Sequence, residues 1–131
     1  MAILIDESSR VVVQGITGHE GSFHARLNRA YGTRVVAGVT PGKGGRAVDG
    51  IPVYDTVTAA VDATAADVSL VFVPALRCAD AIVEAKDAGI PLIVAITEGI
   101  PQHDMLRVVA LLGCSNSLLI GPNGPGLISP G

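Results

Sequence analysis

Val11-Val12-Val13-Gln14-Gly15-Ile16-Thr17-Gly18-His19-Glu20-Gly21 is the stretch on which the fold turns. Residues that favour extended backbone run into three glycines spaced three apart, which predicts a strand ending in a tight turn. Beyond the turn, Phe23, Leu27, Ala30 and Tyr31 recur at i, i+4, i+7 and i+8, the spacing of one helix face, and Gly32 is placed to end that helix. The segment reads as strand, loop and helix.

The rest of the chain repeats that unit. Arg34 to Thr40 predicts a second strand, which opens into the loop Pro41-Gly42-Lys43-Gly44-Gly45. Ile51 to Tyr54 is a short extended stretch, and Val57, Ala60 and Val61 mark one side of a second helix. Ser69 to Val73 is a continuous apolar strand. After Pro74 comes a helix on which Cys78, Ala81, Ile82 and Ala85 share a face, with Gly89 as its terminator. Leu92 to Ile96 predicts another buried strand. Met105, Val108, Val109 and Leu112 follow at helical spacing, and Leu118 to Ile120 is a last strand before Gly121-Pro122-Asn123-Gly124-Pro125-Gly126.

Such alternation predicts an α/β, Rossmann-like three-layer fold: a mainly parallel sheet with right-handed crossovers and helices on both faces, because parallel strands cannot be joined by tight hairpins. Ligands in that architecture sit at the carboxyl ends of the strands. The loops Gly15 to Gly21, Thr40 to Gly45, Thr97 to Pro101 and Gly121 to Gly126 all follow strands, so they are expected on one rim.

Bulk properties narrow the function. At 131 residues, 49% hydrophobic and 16% charged, with a formal net charge of -3, the chain is expected to form one domain, residues 1–131, without a polyanion-binding surface; no nucleic acid partner is expected. Aromatic residues are 3% and Trp is absent, so the core must come from Ala, Val, Ile and Leu. Apolar runs stop well short of the roughly 20 residues of a membrane span, so no membrane partner is expected. Met1 to Arg10 lacks the basic start and apolar run of a secretory signal, which predicts a cytoplasmic location. Cys78 and Cys114 lie in no C-x-x-C pair and read as core thiols. His19, His24 and His103 are scattered, and no metal site is assigned.

A glycine-rich turn leading into a helix suits a phosphate, since the backbone approaches closely and the first helical N–H groups favour negative charge. Gly15, Gly18 and Gly21 supply the turn and Thr17 adds a hydroxyl, although their G-x-x-G-x-x-G spacing differs from the dinucleotide fingerprint, and a turn built for close helix packing is the alternative. An NAD site would carry Asp or Glu after the second strand. Instead Lys43 sits among glycines, read as a cation on a flexible backbone rich in free N–H groups, which fits a phosphorylated ribose and leaves NADP or CoA; a solvated surface charge is the alternative. Glu98, in Thr97-Glu98-Gly99, is a helix cap, a hydroxyl acceptor or a ligand contact. No Ser/His/Asp or Cys/His set is recognisable, so no catalytic residue is assigned.

The combined series is more specific than any one loop: Gln14-Gly15-Ile16-Thr17-Gly18, Gly38-Val39-Thr40-Pro41-Gly42-Lys43-Gly44-Gly45, Ile96-Thr97-Glu98-Gly99-Ile100-Pro101 and Ile120-Gly121-Pro122-Asn123. It resembles the N-terminal domain of succinyl-CoA synthetase alpha subunits, in order from Ala2 through Gly131. The resemblance implies a CoA-binding domain of a tricarboxylic acid cycle ligase that joins succinate to CoA at the expense of a nucleoside triphosphate, through an acyl phosphate and a phosphohistidine. By position it implies that Thr17, Gly18, His19 and Glu20 are phosphate-turn contacts to CoA, that Lys43 is the basic contact, and that Ile96, Thr97 and Glu98 form a third binding segment. It places the phosphohistidine in a C-terminal ligase domain outside these residues and the nucleotide site in a separate beta subunit, so this domain is expected to bind CoA without completing a reaction.

Three positions depart from the family pattern. His19 and Glu20 stand where small or neutral polar residues are expected, and Gly124 stands where cysteine is usual. A free-standing CoA-binding sensor or regulatory module, or a domain of a related acyl-CoA synthetase or ATP-citrate lyase, is the alternative; an NADP-binding domain ranks third.

Overall fold

The computed structural model describes residues 8–97, 99–113, 115 and 117–120. In chain order the elements are β1 (Arg10–Gln14), α1 (His19–Tyr31), β2 (Arg34–Val39), β3 (Ala47–Val48), β4 (Ile51–Tyr54), α2 (Val57–Thr64), β5 (Val68–Val71), α3 (Ala75–Asp87), β6 (Leu92–Ala95), α4 (Gln102–Leu112) and β7 (Leu118–Ile120). The described strands form one sheet in the order β3-β4-β2-β1-β5-β6-β7. All neighbours run parallel except the short β3, which pairs antiparallel with β4.

Strand side chains alternate across the sheet. Val11 and Val13 project to one face, where they meet Ile16 of the turn after β1 and Ala25 of α1; Val12 projects to the other, with Val57 and Ala60 of α2, Cys78, Ile82 and Ala85 of α3, and Val108 of α4. Helices therefore cover both faces, and a strand buried on both sides has no use for a polar alternate residue. This is why Val11-Val12-Val13 and Leu92-Ile93-Val94 are uninterrupted, and it bears out the predicted α/β, Rossmann-like class.

Three local expectations need correction. The first concerns α1, which does end at Gly32 but turns its predicted apolar face outward: Phe23, Leu27 and Tyr31 are 44%, 49% and 74% exposed, while Gly21 and Ala25 are buried. Close approach decides this, because a Cβ on Gly21 would overlap the carbonyl oxygen of Gly15. Only the glycine and alanine side of the helix fits that near the sheet. Similarly, Val109 leaves the predicted face of α4 and is 62% exposed, whereas Val108 is buried and Met105 and Leu112 are partly covered.

The third is β3, which has no counterpart in the predicted elements. Asp49 and Gly50, with φ of 50° and 83°, turn the chain from Val48 back to Ile51. Arg29 donates from Nη1 to the Asp49 carbonyl at 2.6 Å. An Asp-Gly pair between apolar residues is a hairpin signal, so this element was legible.

One polar cluster lies inside the fold. Gln14, only 2% exposed, accepts a hydrogen bond from Ser69 Oγ at 2.5 Å and donates from Nε2 to the Ala81 carbonyl at 2.9 Å, tying β1, β5 and α3 together. Among the described residues, no helix is long and apolar enough to cross a membrane.

Two substitutions test these contacts by denaturant unfolding. Gly21→Ala should cost about 1–3 kcal/mol, because overpacking forces the helix from the sheet; an unchanged midpoint would contradict the close approach. Gln14→Leu should cost about 1–3 kcal/mol by stranding the Ser69 hydroxyl, and adding Ser69→Ala should recover most of that loss.

Candidate functional site

From β1 the chain moves outward to β2 and β4 on one side of the sheet, then returns through α2 to β5 on the other. The connections part at the carboxyl ends of β1 and β5, and such a switch point leaves a crevice. A cleft of about 1000 Å³ lies there, between the turn after β1, the ends of β2, β5 and β6, and one side of α3. Its size suits a nucleotide-sized ligand.

Of the eight residues expected to contact CoA, the fold brings six to this cleft: Thr17, Gly18, His19, Glu20, Ile96 and Thr97 all line it, with Gly15 beside them. Lys43 is not part of the lining. It stands two residues beyond Pro41, which is. Glu98 and the Gly121 to Gly126 loop fall outside the described residues, as does Cys114.

The turn after β1 hangs between two supports. Gly15 N–H donates to the Val39 carbonyl at 2.8 Å, and Gly18 N–H to the Gly15 carbonyl at 3.1 Å. Gly18 then occupies the N-cap of α1 and supplies no side-chain cap. The first N–H groups of the helix are thus left beside the cleft, at the positive end of its dipole, where an anion is favoured. Thr17 and Thr40 share a hydroxyl hydrogen bond of 3.1 Å that joins the turn to the end of β2. Glu20 Oε2 lies 3.3 Å from His24 Nε2, and the His24 ring stacks on Phe72 with centroids 5.0 Å apart.

The loop after β2 differs from its predicted character. Its backbone N–H groups are not free: those of Gly42 and Gly44 donate to Asp55 Oδ1, Lys43 to the Thr40 carbonyl, Gly45 to the Val53 carbonyl and Arg46 to the Lys43 carbonyl. The loop is an ordered pedestal for a lysine. What it offers an anion is the Lys43 side chain.

One wall of the cleft went unread in the sequence. Arg77, Asp80, Ala81 and Glu84 of α3 line it, together with Phe72, Val73 and Pro74 ahead of that helix. Arg77, Asp80 and Glu84 do recur at i, i+3 and i+7, so a polar helix face was there to be found. Both carboxylates are occupied: Asp80 pairs with Arg107 at 2.8 Å, and Glu84 accepts the Val57 N–H at 2.8 Å, capping α2. Arg77, in the first turn of α3, adds a cation to the lining.

Thr97 donates its hydroxyl to the Val73 carbonyl at 2.7 Å. Burial pushes the Cys78 thiol above its ordinary pKa, against a smaller opposing effect of its hydrogen bond with Thr97. Cys78 is accordingly a neutral core thiol, as its position on the inner face of α3 predicts.

Comparison with known proteins agrees with this geometry. The model of the CoA binding domain family matches residues 6–99. The succinate–CoA ligase [ADP-forming] subunit alpha of Aquifex aeolicus is 62% identical over 133 aligned residues, which take in 100% of this chain and 44% of that protein. The malate–CoA ligase subunit alpha of Methylorubrum extorquens is 52% identical over 135, covering 100% of the chain and 46% of that protein. The chain thus spans a little under half the length of these relatives. Among solved structures, the dinucleotide-forming acetyl-coenzyme A synthetase 1 of Ca. Korarchaeum cryptofilum shares the fold, with a TM-score of 0.72 at 22% identity over 88% of this chain and 26% of that one. With the family match covering most of its length and the cleft at the carboxyl ends of its strands, the chain belongs to the CoA-binding domain family.

Proposed function

We propose that this chain binds CoA in the cleft at the ends of β1, β2, β5 and β6, and that it is the CoA-binding part of a succinate–CoA ligase alpha subunit. The observation that carries the reading is the 62% identity, over the whole of this chain, to part of such a subunit, together with the convergence of Thr17 to Glu20, Ile96 and Thr97 on one cleft. In this reading the N–H groups that open α1 and the Thr17 hydroxyl receive a phosphate of CoA, with His19 and Glu20 as neighbours. Lys43 supplies the basic contact, and Ile96, Thr97 and Glu98 form the third segment. Residues 1–131 act as one CoA-binding domain. CoA is a substrate here, and the cleft holds and orients it.

The whole ligase would add a second domain carrying a phosphohistidine and a beta subunit carrying the nucleotide site. It would form the succinyl thioester through an acyl phosphate. Malate is the second acid to test, given the malate–CoA ligase relative. We place the protein in the cytoplasm, a reducing compartment in which an unpaired thiol such as Cys78 persists.

Thermal unfolding with CoA, dephospho-CoA, NADP and NAD tests the binding. CoA at about 100 times its dissociation constant should stabilise the chain by about 2.7 kcal/mol, with a smaller shift for dephospho-CoA and none for NAD; no shift with CoA overturns the reading. Lys43→Ala should weaken CoA by about 1.5–3 kcal/mol, the loss of a charge-assisted hydrogen bond. Unchanged affinity by titration calorimetry would return Lys43 to a solvated surface charge.

A further inference from the structure

The loop that carries Lys43 is held by one side chain from a different element. Asp55 lies just after β4 and is exposed, yet its Oδ1 accepts the Gly42 N–H at 3.0 Å and the Gly44 N–H at 2.9 Å. These two groups flank Lys43. The lysine's own N–H is turned back onto the Thr40 carbonyl at 3.0 Å. With both neighbours fixed to one oxygen and its own amide closed into a turn, the backbone at Lys43 has little freedom left.

The glycines of the loop are explained by the same arrangement. A Cβ on Gly44 would sit 2.6 Å from Asp55 Oδ2, so a side chain there would expel the carboxylate. Gly42 and Gly45 have φ of 82° and 88°, a backbone region that other residues enter only with strain. A loop kept mobile for its own sake would need neither the close approach nor its carboxylate.

A carboxylate beside a cation meant for phosphate is unfavourable by charge alone, since it opposes the same anion. Its presence is accounted for by what it does to the backbone. Charge-assisted hydrogen bonds are stronger than neutral ones, and ordering a loop before the ligand arrives removes that cost from binding.

We propose that Asp55 is a positioning residue: by clamping the Gly42 and Gly44 N–H groups it holds Lys43 in place beside the cleft for the phosphate of CoA. The proposal rests on the CoA reading above. Asp55 itself touches no ligand and acts through the loop. Because both hydrogen bonds go to Oδ1, the amide oxygen of asparagine can accept them as well, as weaker neutral bonds, and the clamp survives the loss of the charge.

Amide hydrogen exchange by NMR and calorimetry with CoA test this on the unsubstituted chain, Asp55→Ala, Asp55→Asn, Lys43→Ala and the Asp55→Ala/Lys43→Ala double variant. Asp55→Ala should speed exchange at Gly42 and Gly44 by about tenfold or more as the clamp opens, and weaken CoA by about tenfold through the disordered loop. In that background Lys43→Ala should cost much less than it does alone, because the lysine is no longer positioned. Asp55→Asn should restore both exchange and affinity to near the unsubstituted values. Unchanged exchange in Asp55→Ala, unchanged CoA affinity, additive losses in the double variant, or an asparagine that behaves like alanine would each overturn the proposal. If the unsubstituted chain binds no CoA while exchange still accelerates in Asp55→Ala, the CoA reading has failed, and the binding role of Asp55 falls with it even though the clamp exists.

Discussion

The carbonyl oxygen of Gly15 lies so close to Gly21 that no side chain can stand between them, and this contact sets the distance of α1 from the sheet. Much of the site follows from it. With the helix drawn in, its first turn comes down beside the ends of β1 and β2, and Gly18, His19 and Glu20 line the cleft. Ile16 is held over Gly38 of β2, where again a Cβ would collide. The turn after β1 is thus packed from both sides by backbone and buried aliphatic side chain. Such support would suit a turn that receives an anion, because dipoles aimed at an anion are most useful when they do not have to reorganise around it.

The polar residues around the cleft mostly hold its walls. Gln14 and Ser69 bind β1 and β5 to α3 from beneath. Glu84 caps α2, Asp80 joins α3 to α4 through Arg107, and Thr97 ties the end of β6 to that of β5. Asp55 does the same for the loop after β2. Among the described residues, the groups open to a ligand include the opening N–H groups of α1, the Thr17 hydroxyl and Arg77 in the lining, and Lys43 on the loop beyond it. That division suits the proposed role of holding CoA in a fixed orientation.

Much of the fold could be read directly from the chain. The runs of valine and isoleucine fall in strands buried on both faces, α1, α3 and α4 begin after glycine or proline and α2 after Thr56, and the special loops follow strands and so share a rim. Thr17, Gly18, His19, Glu20, Ile96 and Thr97 meet for that topological reason. The Asp49-Gly50 hairpin and the polar face of α3 were equally open to reading but lay behind stronger apolar signals.

By itself, the sequence determined the class of the fold, the succession of its elements and the end of the sheet at which a ligand would sit, because residue periodicity and turn chemistry report local geometry, and parallel alternation leaves few topologies. Tertiary structure alone decided which side of α1 is buried and what the glycines around Lys43 are for. Phe23, Leu27 and Tyr31 form the more apolar stripe, yet the sheet accepts only Gly21 and Ala25, since steric fit at close range outweighs the area an apolar face offers. Likewise the freedom of Pro41 to Gly45 is removed by a carboxylate 13 residues from Gly42 and 11 from Gly44. No periodicity within the loop encodes it, because the hydrogen bonds exist only once β4 has paired with β2.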